Sequence, residues 1–451
     1  MMDILALLQH LSPCLEATTV RQMSRIILAM LAMTGRVTML GISRWTEKGG
    51  SYRTVQRFFH TVIPWAAVFW LFFQRHLYRS EDVYLLAGDE CVVTKSGKQT
   101  HGLDRFFSSL YGKPVPSLAF FALSLVSLSE RRSYPVMVEQ IVRTEEEKAA
   151  AKAKAQARKA KRKQKKKGKP GRPKGSKNRD KTVVTLTPEL TLIQKMVQKL
   201  LQLIGPTLSL RFLVMDGKFG NNNALQMTRQ CGLHLISKLR YDAALHFAYD
   251  GPYAGIGAPQ KYGDKINYAA LPDQYRQETS IERGIQTDIY QAQMLHRDIA
   301  QPLNVVIIYK TNSTTGATAH VILFSSDLEL TYAQIIDYYT LRFQIEFNFR
   351  DAKQYWGLED FMNIKKTAVV NAASLSLFMV NVSHLLLRDF RPKDSAVNVL
   401  DLKAYFRGHK YVVETLKWLP QKPEPILMAQ IFDKVSQLGR IHIPLPSSTP
   451  T

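Results

Sequence analysis

The chain has 451 residues, 45% of them hydrophobic and 22% charged, a length of several ordinary domains and a balance that excludes wholesale disorder. Its 61 Lys and Arg against 37 Asp and Glu leave a net charge of +24, which points to a polyanionic partner, either nucleic acid or an acidic membrane surface. Three scattered cysteines (Cys14, Cys91, Cys231) exclude a disulfide frame and a zinc site and fit a reducing compartment.

From Ile4 to about Tyr78 apolar residues recur at three- and four-residue steps, in Ile26, Ile27, Met30, Leu31 and Met33 and again in Val55, Phe58, Phe59 and Val62. Asp3 precedes these apolar residues where a signal peptide would carry bases. Gly49-Gly50-Ser51 breaks and caps the pattern, so residues 1–78 read as an all-α N-terminal domain. Its bases, among them Arg21, Arg25, Arg44, Lys48, Arg53 and Arg57, suit DNA contact and suit a solvated helix face equally.

At Val83 the period changes. Val83 to Gly88 is a buried-strand run ending in Asp89-Glu90, and strand-like runs follow at Leu118 to Val126 and Val136 to Val142. Then the charge concentrates: Lys148 to Lys181 holds 17 bases and one acid, Asp180, so these 34 residues carry +16 and the other 417 share +8. Lys148 to Lys167 is compatible with a helix, whereas Gly168 to Ser176, with three Gly and two Pro, is not. Thr187-Pro188-Glu189 opens an amphipathic helix to about Leu203. A second buried strand, Leu210 to Met215, ends in Asp216, and a helix from Asn222 to Gln230 and a strand from Leu233 to Lys238 complete a β/α alternation.

Residues 241–330 hold Gly, Pro and Tyr turns and the strands Asn304 to Tyr309 and His320 to Phe324, a β-rich insertion. A long helix runs from Thr331 to about Trp356, then an apolar one from Ala368 to Leu387. Neither Leu118 to Leu128 nor Leu375 to Leu387 is long and unbroken enough to span a membrane, so a soluble, cytoplasmic protein is expected. The tail, residues 393–451, is rich in Pro after Leu419 and is expected to form no core of its own.

Two strands thus end in an Asp, and clustered carboxylates are what hard divalent ions require. Singly, either Asp is as readily a turn residue. Within the long helix, Tyr339, Arg342, Glu346 and Lys353 fall, at ~100° per residue, in an arc of roughly 60°. Leu341, Ile345 and Ala352 take another face, with Phe349 at the border. One side can pack while the other presents a carboxylate flanked by two cations and a phenol, although Arg342 and Glu346 alone are an ordinary i,i+4 pair.

The order strand-Asp89, strand-Asp216, β-rich insertion, then Tyr339, Arg342, Glu346 and Lys353 on a helix resembles the DDE transposases of the IS4-like superfamily, with their Tyr-Arg-Glu-Lys signature. Asp89-Glu90-Cys91-Val92-Val93-Thr94-Lys95-Ser96-Gly97 and Asp216-Gly217-Lys218-Phe219-Gly220-Asn221 look like their first two motifs. The resemblance implies an α/β fold: an RNase H-like catalytic domain over residues 79–240, interrupted by the basic insert 143–181 and the β-rich insertion 241–330, and resumed over 331–392. It implies that Asp89, Asp216 and Glu346 hold two Mg²⁺ ions, replaceable by Mn²⁺, about 3.5 to 4 Å apart, and that Tyr339, Arg342 and Lys353 grip DNA phosphates. Family members that pass through a DNA hairpin use a Trp of the insertion to catch a flipped base. The five Trp here, Trp45, Trp65, Trp70, Trp356 and Trp418, lie elsewhere, so the hairpin step is not carried over; His296, Tyr253, Tyr262 and Tyr268 are aromatics that could stack instead.

Within the basic insert, Lys169-Pro170-Gly171-Arg172-Pro173-Lys174-Gly175 resembles an AT-hook, which lays Arg172 in a narrow minor groove with Lys169 and Lys174 beside it. The plainer reading is a polycation binding any phosphate, and poor order without DNA is expected. The function expected is a transposase that binds its element's terminal inverted repeats as a homodimer on double-stranded DNA, cuts the ends and joins them to target DNA, with or without host or element-encoded accessory factors. Two alternatives stand beside it: a domesticated or accessory DNA-binding protein without cleavage, and a Mg²⁺ nuclease such as a junction resolvase, which the helix signature disfavours.

Overall fold

The computed structural model describes residues 3–46, 49–108, 110–149, 152–153, 156–157, 180–253, 255, 259–390 and 397–442. Its frame is a large mixed sheet. The apolar run after Val83 becomes β1 (Tyr84–Thr94), followed by β2 (Asp104–Ser108), β3 (Lys113–Ser127) and β4 (Arg132–Ile141). Beyond the basic insert come β5 (Phe212–Met215) and β6 (His234–Leu239). β1 is antiparallel to β3 and β3 to β4, whereas β5 is parallel to both β1 and β6. β1, β3 and β5 are covered on both sides, and their Leu85, Leu86, Leu123, Leu125, Leu213 and Val214 are buried, which is why they read as continuous apolar runs.

Between β6 and residue 330 lie β7 (Leu245–Ala248), β8 (Tyr262–Lys265), β9 (Arg276–Glu282), β10 (Ile285–His296), β11 (Leu303–Asn312) and β12 (Thr318–Ser325). The insertion is β-rich as expected, but it does not stand apart. β12 pairs antiparallel with β6, so one sheet runs β2-β3-β1-β5-β6-β12-β11-β10-β7-β8, with β4 on β3 and β9 on β10.

The N-terminal segment is helical: α1 (Ile4–Leu8), α2 (Ala17–Ala32), α3 (Met39–Trp45), α4 (Tyr52–His60) and α5 (Trp65–His76). Later helices are α6 (Pro188–Ile204), α7 (Asn222–Gln230), α8 (Tyr332–Leu341), α9 (Gln344–Tyr355), α10 (Lys366–Phe390), α11 (Val399–Leu416) and α12 (Pro425–Gln437). α5, α6, α9 and α10 pack on β4, and α8 packs on β5, β6 and β12. α10 is long and apolar enough to cross a membrane by length and composition, yet 83% of its apolar window is buried inside the protein, so it serves as a core helix.

Four expectations change. The strand expected to end at Asp89 runs on to Thr94, because its ladder with β3 continues to Ser117 and buries Cys91 and Val93 beyond the Asp. The N-terminal helices share one core with the sheet, because the aromatic residues of α5 pack onto β4 and α10. Phe69 and Phe72 meet Phe378 of α10 at 5.7 and 4.9 Å, and buried Asn371 of α10 accepts from Trp65 Nε1 at 2.8 Å while donating to the Phe59 and Thr61 carbonyls. The tail is not without core: Val399, Leu402 and Phe406 of α11 are buried, and α11 packs on α2. Lastly, the helix expected from Thr331 to Trp356 is two helices. At Arg342 and Phe343 the backbone stays in the α region, but Phe343 N–H bonds Thr340 O, Ile345 N–H bonds Arg342 O and Glu346 N–H bonds Phe343 O at 3.0–3.1 Å. The i to i−3 tightening buries both Leu341 and Ile345 and leaves Phe343 and Phe347 outside, ring edge to face.

Candidate active site

Register brings together Asp89, within β1, and Asp216, just past the end of β5. In the parallel pair β1 and β5, Leu86 is opposite Leu213, Ala87 opposite Val214 and Gly88 opposite Met215. Asp89 and Asp216 are each the next residue, on strands about 4.8 Å apart. A Cβ on Gly88 would lie 3.0 Å from the Phe121 ring, so the ring of β3 lies across bare backbone just before Asp89. Beyond Asp216 the chain turns through a short 3₁₀ segment, Gly217–Phe219. Gly220 then approaches β6 so closely that a Cβ would stand 2.1 Å from Lys238 O. Ser237 Oγ donates to Asp216 O at 2.7 Å, fixing that turn from the β6 side.

The signature residues arrive from the tightened joint between α8 and α9. Arg342, with only 11% of its side chain exposed, donates from Nη1 to Asp89 Oδ2 at 2.6 Å and from Nη2 to Glu346 Oε1 at 3.4 Å. Its guanidinium carbon lies 5.7 Å from the centre of the Tyr339 ring. Lys353 is placed further along: its Nζ donates to Val92 O at 2.8 Å and pairs with Glu359 at 3.3 Å, tying α9 to β1 three residues past Asp89. Asp89, Asp216, Tyr339, Arg342 and Glu346 therefore converge, and Lys353 flanks them. Lys169, Arg172 and Lys174, the AT-hook-like residues, lie outside the described residues. In the insertion, Tyr268 stacks on His320 and donates to Ala243 O at 2.7 Å, Tyr262 meets His246 edge-on, and the burial-lowered His296 accepts from Asp298 N–H. These aromatics are engaged in local packing.

The electrostatics are those of crowded carboxylates. Burial pushes the Asp89 carboxyl up to about 6, an effect that the Arg342 guanidinium and the Glu90 N–H oppose and the charges of Asp216 and Glu346 reinforce. Burial also raises the Tyr339 phenol and pushes the Cys91 thiol up to about 12, which leaves Cys91 an inert core thiol.

Lys218, which stands in the second Asp motif, has a role that its sequence context does not disclose. Its Nζ bridges Glu90 at 2.8 Å and Glu189 at 2.6 Å, so the segments just after Asp89 and Asp216 are clamped to each other and to the start of α6. The signal available was Asp-Gly-Lys itself; the partners, 128 and 29 residues away, left none. Beside this clamp opens a cleft of about 840 Å³ whose lining includes Glu139, Lys366 and both roots of the basic insert, Val142, Arg143 and Glu147 on one side and Thr187 and Pro188 on the other.

Three carboxylates supply the hard oxygen donors a divalent cation takes. Asp216 Oδ1 is buried with no hydrogen-bond partner, an orphan that a cation would satisfy. Among the described residues no three His, Cys, Asp or Glu side chains stand together at metal-holding distance; the Arg342 guanidinium fills the space between Asp89 and Glu346. The donor types suit such an ion, and Arg342 occupies the place between two of them.

Comparison with known proteins agrees in substance. A family model described as DDE superfamily endonuclease matches residues 10–301, a stretch that carries Asp89 and Asp216 and stops before Glu346. No match was found among curated proteins. The family comprises nucleases and transposases that act on DNA and generally use divalent metals such as Mg²⁺. With the match spanning more than half of the chain, the protein belongs to the DDE superfamily endonucleases.

Proposed function

We propose that the protein is a DNA transposase of the IS4-like superfamily, working in the bacterial cytoplasm, that binds the terminal inverted repeats of its element as a homodimer, cleaves the ends and transfers them to target DNA. The observation that carries this reading is the β1–β5 register, which sets Asp89 beside Asp216, together with the fork of Arg342 onto Asp89 and Glu346. The sheet run β4-β3-β1-β5-β6, antiparallel and then parallel, supports an RNase H-like catalytic unit.

In this reading Asp89, Asp216 and Glu346 hold the divalent ions, Mg²⁺ or Mn²⁺. When bound, such ions supply Lewis acidity that activates the attacking water or 3′-hydroxyl and stabilises the leaving oxygen. The chain's own residues do the rest. Before DNA arrives, Arg342 neutralises two of the three carboxylates and keeps them from repelling one another. Displaced, its fork turns to the scissile phosphate, which it matches in shape and charge. Tyr339, whose phenol is raised and keeps its proton, donates to a phosphate oxygen. Lys353 exchanges Glu359 for a phosphate while remaining beside β1. Lys218 and Ser237 hold the Asp216 turn against β1 and β6.

The test is cleavage of a duplex carrying the element's terminal repeat, with Mg²⁺, by the wild type and by Asp216→Ala. Loss of cleavage by a factor of about 1,000 with end binding retained is expected. Undiminished cleavage by Asp216→Ala refutes the site. A DNA-binding relative without cleavage is the second reading, favoured by the way Arg342 fills the carboxylate cluster; a wild type that binds ends but cuts nothing in Mg²⁺ or Mn²⁺ selects it.

A further inference from the structure

We infer that the groove between α3 and α11 is a second DNA site, built for one unpaired nucleotide; the inference rests on the reading of the protein as a DNA enzyme. Trp45, at the end of α3, and Tyr411, on α11, set their ring centres 6.1 Å apart at a 38° tilt. Arg44, Lys410, Glu414 and Lys417 join them around a cavity of about 560 Å³. Glu414 Oε1 meets Lys410 Nζ at 3.2 Å and Lys417 Nζ at 3.0 Å. One carboxylate oxygen thus gathers two ammonium groups beside the rings, and with Arg44 the walls carry three cations against one acid.

A planar ring next to clustered cations recognises a ligand that is itself planar at one end and anionic at the other. Single-stranded DNA is bound in this way, with the base laid on an aromatic face and the phosphate on Lys or Arg. A paired base cannot use such a face, because its neighbours in the duplex already cover both sides. Tyr411 is 53% exposed, so its ring is presented to a ligand rather than spent on the core, and the cavity has the size of a small-molecule site. The groove shares no residue with the carboxylate site. Its occupant is a nucleotide of a strand that has lost its partner, the kind of end that cleavage creates.

The experiment titrates the full-length protein into a labelled single strand of about 12 nucleotides and, separately, into its duplex, following anisotropy without Mg²⁺ so that no strand is cut. The basic insert contributes equally to the wild type and every variant, so differences report the groove. Tyr411→Ala is expected to weaken single-strand binding about tenfold and leave duplex binding unchanged, and Tyr411→Phe, which keeps the ring, is expected to bind as the wild type does. Equal single-strand affinity in wild type and Tyr411→Ala, or equal losses for single strand and duplex, overturns the inference while leaving the transposase reading intact. A protein that binds neither DNA overturns both.

Discussion

Asp89 has an ordinary carboxyl value of 3.8 and is pushed to about 6 by burial, although Arg342 sits 2.6 Å away; desolvation outweighs the ion pair. The sign follows. Between those two values the native state holds a proton that the unfolded chain has released, so stability falls as pH rises from about 4 to about 6 and is flat above. Asp89→Asn is expected to raise the melting temperature of the metal-free protein at pH 8 and to lose that advantage at pH 4, a difference on the order of 1–3 kcal/mol. Thermal melts of both proteins across that range decide it; an advantage that does not change with pH means the carboxyl is not pushed up. The two Asp were legible as polar residues that follow apolar runs; Asp216 does close β5, whereas β1 carries Asp89 in its interior. Their pairing was not legible, because register is set by tertiary contacts between residues 127 apart in the chain. Nor was the need for glycine at Gly220, which answers to a carbonyl on β6.

At the scale of the element, the joint between α8 and α9 matters most. The stripe Tyr339, Arg342, Glu346 was visible from helical arithmetic because the backbone never leaves the α region there; the break was invisible because only the hydrogen-bond spacing changes. That tightening aims Arg342 at two carboxylates on different elements, which a fork can do and a point charge cannot. Arg342→Lys is therefore expected to keep DNA binding within a few-fold and to lower the single-turnover cleavage rate about 10- to 100-fold, with the loss in rate rather than in substrate affinity. A rate equal to the wild type's shows that charge alone suffices. The insertion illustrates the same division of knowledge. Its strands followed from turn residues and apolar alternation, whereas its fusion to the main sheet depends on β12 finding β6, whose paired residues are 83 to 89 positions distant, and on no local preference.

Across the whole molecule the charge divides in two. Residues 150–179 hold 15 bases and no acid, so without them the chain would carry +9 instead of +24. Exchanging residues 150–179 for a short Gly/Ser linker is expected to leave the melting temperature within about 2 °C, because each halving of a loop alters closure entropy by only ~0.6 kcal/mol. Duplex affinity at low salt is expected to drop and the dependence of log K on log salt to become shallower, by roughly 0.9 for each phosphate that the insert had neutralised, with cleavage of a bound end preserved. Titrations at several salt concentrations measure it, and an unchanged slope means the insert does not touch DNA.

Both roots of that insert border one cleft, which the Lys218 clamp lines and Asp89, Asp216 and Glu346 do not. A segment whose flanking residues lie together is a place where inheritance can tinker. Its length and its count of lysines can drift, by slippage or duplication, while Asp89, Asp216 and Glu346 stay where the sheet and α9 put them. How strongly the chain attracts a polyanion can thus be retuned from one descendant to the next without moving those three carboxylates.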